Sequence, residues 1–153
     1  MAVVSRVYGH LTTLVEQGTI NLDTADIRVA LFNNVHAFDI AHTQWSDIKA
    51  NEISGTGYSE GGIAITHTGA KLHYDAATGI YSFGKNADDT EWPASTLEAY
   101  HAVVYVYTDN AGVPADASLL LESIDFGGAE VTLNAIFPIT WPPTGIFRFR
   151  PNP

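Results

Sequence analysis

The chain has 153 residues, 46% of them hydrophobic, and no cysteine, so a single packed core, with neither disulfides nor thiolate metal sites, must hold it together. Seventeen acidic residues against seven basic ones leave a formal charge of -10, which repels polyanions and argues against direct nucleic-acid binding. The opening "MAVVSRVYGHLTT" carries one arginine and no sustained apolar run, and no stretch approaches the roughly 20 apolar residues of a membrane span, so the chain reads as soluble and unprocessed.

In chain order, Val4, Val7, Tyr8, Leu11, Leu14 and Val15 recur at helical spacing, with Ser5 placed to cap the run and Gly18 to end it. This predicts an N-terminal amphipathic helix within residues 1–20, weakened by Gly9, Thr12 and Thr13 and therefore dependent on docking. The period then becomes alternating: "IRVALF" sets Ile27, Val29 and Leu31 on one face, and "GIAIT" does the same with Ile63 and Ile65. Between them "TQWSDIKA" predicts one or two helical turns capped by Thr43 that carry Trp45 and Ile48 inward. "KLHYDAATGIYSF" reads as two strands about a turn over 75–79. "AYHAVVYVYTD" is apolar on both parities over 102–107, the mark of a strand covered on both faces. Gly127 and Gly128 separate "SLLLESIDF" from "AEVTLNAIFPITW" as a predicted hairpin, and "GIFRFR" ends the chain as an alternating strand before Pro151. About eight strands with frequent turns predict a mainly β fold, a β-sandwich or jelly-roll over 21–150 behind the N-terminal helix, with a C-terminal strand and tail over 146–153. No linker, repeat or low-complexity tract divides it, so residues 1–153 read as one domain.

The segment "NEISGTGYSEGGIAIT" has the glycines of a phosphate cradle but not its context. A cradle opens onto a helix N-terminus, whereas Gly55, Gly57, Gly61 and Gly62 precede a strand, lack the dinucleotide spacing and a Walker lysine, and sit beside Glu60. They read as turns and a bulge entering a sheet. His36 with His42, and His67 with His73, have neither of the spacings that aim two imidazoles at one ion. The acidic groups Asp23/Asp26, Asp88/Asp89/Glu91 and Asp109/Asp116 match turn chemistry better than a calcium loop. No nucleophile motif is present, and no metal, cofactor or catalytic residue is assigned; a triad or carboxylate pair would have to assemble from distant segments.

Two features point outward instead. In "GIFRFRPNP", Arg148 and Arg150 share one parity while Phe147 and Phe149 take the other. This fits either an edge strand guarded by cations or a terminal arm that contacts an acidic neighbour. Trp45, Trp92 and Trp141 each border a proline, a turn or a helix end, which suits both cores and docking surfaces. The interface candidates are therefore Val7 and Leu11 on the N-terminal helix, Trp92, Trp141, Phe147, Arg148, Phe149 and Arg150.

The order of "GTINLDTADIRVALF", "WSDIKANEISGTGYSEGG", "HAVVYVYTD", "SIDFGG" and "ITWPPTGIFRF", spanning roughly 7–149, resembles small virion structural proteins of tailed bacteriophages. The resemblance implies a non-enzymatic capsid cement, or decoration, protein without a cofactor, made in the host bacterial cytoplasm. Such a protein would bind the outside of the shell as a dimer or trimer and bridge capsomers of the major capsid protein. The alternatives are a tail component of the same fold class and a carbohydrate-binding β-sandwich, in which Trp92 or Trp141 would be an exposed sugar platform; a hydrolase with a carboxylate pair comes last.

Overall fold

The segment that is apolar on both parities lies at the centre of the sheet. In the computed structural model, which describes residues 3–149, it belongs to β6 (Thr90–Val106). This strand pairs antiparallel with β9 (Leu119–Ile139) along one side and with β2 (Ile27–Phe32) along the other. β1 (Val4–Val7) flanks β9 and β3 (Ile63–Ala64) flanks β2, giving a five-stranded sheet of order β1-β9-β6-β2-β3. β4 (Leu72–Asp75) and β5 (Ile80–Phe83) form the predicted hairpin, and β10 (Phe147–Phe149) adds to β5 as a third, antiparallel strand. β7 (Asp109–Asn110) and β8 (Val113–Pro114) are a short separate hairpin. The fold is mainly β and antiparallel, with ten strands among the described residues where about eight were expected.

The alternation of side chains sorts the central strands between two apolar clusters. Val29, Leu31, Ala102, Val104 and Leu121 join the larger cluster, to which the three-stranded sheet contributes Phe83 and Phe147. Ala30, Phe32, Val103, Tyr105 and Leu120 point the other way, where Tyr8, Trp45 and Ile48 cover them. β2 is thus buried on both faces, not on one. Trp45 and Ile48 are turned inward as expected, by two single-turn 3-10 helices over Trp45–Asp47 and Lys49–Asn51. The first is capped by Gln44 instead of Thr43: the Asp47 carboxylate reaches back to accept the backbone N–H of Thr43 and Gln44, each at 3.0 Å.

Two predicted elements are replaced. Val4 to Val7 form a strand opposite 122–125 of β9, and the helix, α1, covers only Leu11–Glu16 before Gly18 ends it at φ +70°. The helical spacing of Val4, Val7 and Tyr8 is overridden because β-branched residues before Gly9 gain more from an open ladder on β9 than from an isolated helical turn. Ser5 consequently sits in the ladder, not at a cap. Gly127 and Gly128 do not turn the chain: β9 runs through them as one 21-residue strand, and the extra residues between Asp125 and Glu130 bulge opposite Tyr100. No helix among the described residues is long and apolar enough to cross a membrane.

Candidate functional site

β9 is much longer than its outer neighbour. β1 pairs with it at 122–125, and from Phe126 to Ile139 the described residues supply no ladder partner on that side. A sheet edge of this kind presents unpaired N–H and C=O groups, and proteins commonly guard it with lysine, proline or charge. Here the edge is apolar: Val131, Leu133 and Ile136 are 64%, 80% and 52% exposed, and Glu130 is the one ionisable residue between Asp125 and Ile139. Where β1 stops, a groove of about 430 Å³ opens between Val3 and Ser5 on one side and Ile136, Phe137, Trp141 and Pro142 on the other. Its floor is fixed, because the Trp141 indole N–H donates to Thr90 Oγ1 at 2.9 Å within the core.

A second cavity, of about 330 Å³, lies on the opposite side of β1, lined by Arg6, His36, Phe38, His101, Ser123 and Asp125 among others. His36 Nε2 and Ser123 Oγ share a 3.1 Å hydrogen bond, the two imidazoles stand edge to face at 5.1 Å, and the Arg6 guanidinium lies over the Phe38 ring. Burial, with the neighbouring His101 adding to it, holds the His36 pKa down at about 4, so its ring is neutral at pH 7. The nearest carboxylate, Asp125, approaches His101 at 4.0 Å instead of His36, so the serine–histidine–carboxylate order of a hydrolytic triad is not assembled here. Among the described residues, no group of three His, Asp or Glu side chains is arranged to hold a metal ion.

The glycine segment is a latch inside the fold. Glu52 Oε1 accepts hydrogen bonds from the Tyr58 hydroxyl and the Gly61 N–H, both at 2.6 Å. Tyr58 Oη in turn accepts the Leu31 N–H, while the Tyr105 hydroxyl donates to the Gly61 carbonyl. Burial raises the Glu52 pKa to about 7. Gly62, at φ +71°, passes so close to β2 that a Cβ would lie 1.8 Å from the Val29 carbonyl oxygen. The glycines therefore bring two backbones together on the way into β3, and the acceptor at their centre is a carboxylate of the chain itself.

Most of the predicted interface residues belong to the core instead. Leu11, Trp92, Trp141 and Phe147 are buried, with Trp92 and Trp141 only 2% and 7% exposed. Tryptophans bordering prolines and turns suit both cores and docking surfaces, and here they are core: Trp92, in β6, packs against Tyr58 and Phe137, and Trp141, just past the end of β9, joins the same cluster. Phe149 is half-buried and stacks on Tyr81, and Arg148 is exposed on β10, the edge strand of its sheet. Val7 is exposed, on a strand edge and not on a helix. Arg150 lies outside the described residues. The candidates do not converge. Trp141 alone of them lines the groove; Val131, Leu133 and Ile136 carry no site motif, since "AEVTLNAIF" reads as an ordinary half-buried strand, and the available signal is that the apolar alternation of Val131 and Leu133 slips by one at Asn134 before Ile136, the mark of a bulge.

No family model matches the chain, and neither a curated protein nor a solved structure matches it.

Proposed function

We propose that this protein is a virion structural subunit of a tailed bacteriophage, a capsid cement protein that works by packing on other proteins and carries out no reaction. The observation that carries the reading is the bare apolar edge of β9 with the groove where β1 stops. An apolar patch of this kind on an acidic chain marks a surface that another protein covers in use. The body behind it suits a brace: the five-stranded and three-stranded sheets share one apolar cluster, which we take as the two layers of a β-sandwich. In this role the protein is made in the host cytoplasm, joins the outside of the shell as an oligomer, and adds apolar burial at each seam between capsomers of the major capsid protein. The sugar-binding alternative loses its platform, because Trp92 and Trp141 are buried. A tail component would use the same edge, and the partner distinguishes the two.

The test is sedimentation with matched purified shells that lack the protein. It should pellet with shells and not with tails, and Ile136→Lys, which places a cation in the groove, should cut binding at least tenfold while leaving the thermal midpoint unchanged. Failure of the wild-type protein to pellet with shells would overturn the cement reading, and pelleting with tails alone would replace it by the tail reading.

A further inference from the structure

The edge of β9 has a regular stretch of its own. Gly127 at φ +80° and Asn134 at φ +48° interrupt the regular ladder; between them residues 130–132 keep an unbroken register opposite 97–99 of β6, with Ala129 and Leu133 flanking them. Within that stretch Ala129, Val131 and Leu133 share one parity and are all exposed, while Glu130 and Thr132 share the other. Thr132 is engaged inward, sharing a 3.0 Å hydrogen bond with Ser95 Oγ. Three in-register residues, flanked by one apolar side chain on each side and bounded by positive-φ breaks, make a template of defined length and register.

We infer that a second copy of this chain covers this template, the two β9 strands pairing antiparallel about Val131 to form an isologous dimer. Antiparallel pairing of a strand with itself places residues symmetrically about the centre. Val131 then lies opposite Val131 of the other copy, Ala129 opposite Leu133, and Glu130 opposite Thr132. Charge selects this occupant and this register. A chain of net charge -10 repels its own copies unless acids are kept from facing each other, and here the single acid of the stretch meets a hydroxyl while six apolar side chains line one face. The edge of β10 fails the same test: its three-residue strand is centred on Arg148, so self-pairing sets cation against cation. β1 offers four residues with Arg6 among them and only Val4 and Val7 as exposed apolar side chains, less apolar cover than Ala129, Val131 and Leu133 provide.

The inference rests on and deepens the cement reading, since a two-fold pair turns one shell contact per chain into a clamp with two: the second copy takes the end of the groove lined by Glu130, Val131 and Thr132, and Ile136, Phe137 and Trp141 are left for the shell. The chain contains no cysteine, so a single introduced thiol reports the register directly. Val131→Cys should oxidise to a covalent dimer nearly quantitatively, because directly opposed residues in an antiparallel pair stand ~4.5–5.5 Å apart between Cα atoms, within disulfide range. Glu130→Cys, offset from itself, should cross-link at least tenfold more slowly. Sedimentation equilibrium of the unmodified chain at ~100 μM should give twice the chain mass, and Val131→Lys should give the chain mass with an unchanged circular dichroism spectrum. A monomer at that concentration, or cross-linking of Val131→Cys no faster than that of an exposed control such as Asp116→Cys, would overturn the inference. A monomer that still pellets with shells would leave the cement reading standing, whereas a dimer that ignores shells would sink that reading and spare this one.

Discussion

The two halves of the β6–β9 pair are made of the same two strands and live in different surroundings. In the base, 101–106 against 119–125, β2 and β1 flank the pair, and both faces carry apolar side chains into buried clusters. In the arm, 90–99 against 130–139, one face packs through Trp92, Leu97, Phe137 and Ile139, while the outer edge of β9 has no partner strand among the described residues and Val131, Leu133 and Ile136 are exposed. Strand propensity is similar in the two halves, so it does not decide which one is finished. The number of neighbours does. A strand with partners on both sides and cover on both faces closes its surface within the chain, and one that lacks a neighbour keeps a surface for another molecule.

The comparison can be broken most forcefully in the base. Leu121→Ala removes a fully buried side chain from the larger cluster and should lower unfolding free energy by about 3 kcal/mol, read from urea denaturation. A loss below about 1 kcal/mol would mean that the base is no better packed than the arm.

Next in size is the carboxyl that the base buries. Glu122 faces Val104 and Val7 across the sheet and is 2% exposed, with Oε2 lacking a hydrogen-bond partner. Burial raises its pKa to about 8, against a smaller lowering by the Ser5 hydroxyl. The folded state holds this proton more tightly than the unfolded one, so the contribution is fully present below the unfolded value near 4.5 and is lost as pH rises through about 8. Glu122→Gln should remove that dependence and raise stability at pH 8 by about 2 kcal/mol, measured by urea titration at pH 5 and pH 8. An unchanged pH slope in the variant would assign the dependence elsewhere.

His36 gives the opposite sign. Its folded pKa is depressed to about 4, so stability is present above the unfolded value of 6.5 and falls as pH drops through about 4. His36→Asn should flatten the acid limb by about 1 kcal/mol, with Ser123 keeping an amide partner, and the melting temperature between pH 7 and pH 4.5 reads it. The smallest effect belongs to the arm. Leu133→Lys, at an exposed edge, should change stability by less than about 0.5 kcal/mol while abolishing association, which separates a surface built for contact from one built for folding.

Legibility follows the same division. β2, the β4–β5 hairpin, the inward turn of Trp45 and Ile48 and the doubly covered centre of β6 were readable, because each is set by local alternation or by turn chemistry such as the Asp75 carboxylate and Gly79. The N-terminal segment was not: Val4 and Val7 fit a helical period, and only the vacant place beside β9 turns them into a strand. Gly127 and Gly128 carry the composition of a turn, yet a bulge uses the same backbone freedom. The tryptophans fit either a core or a docking surface by their neighbours in the chain, and their neighbours in space make them core residues.

The order of residues alone determined that this protein is mainly β, acidic, cysteine-free and covered on both faces along its central strand, since those properties depend on composition and on side-chain alternation within a few positions. Which strand edge stays open, and therefore which residues face another molecule, was decided only by the tertiary structure. The physical reason is that an edge is defined by the absence of a neighbour, and the four-residue length of β1 beside the 21-residue β9 is a relation between segments more than a hundred positions apart, which no local period records.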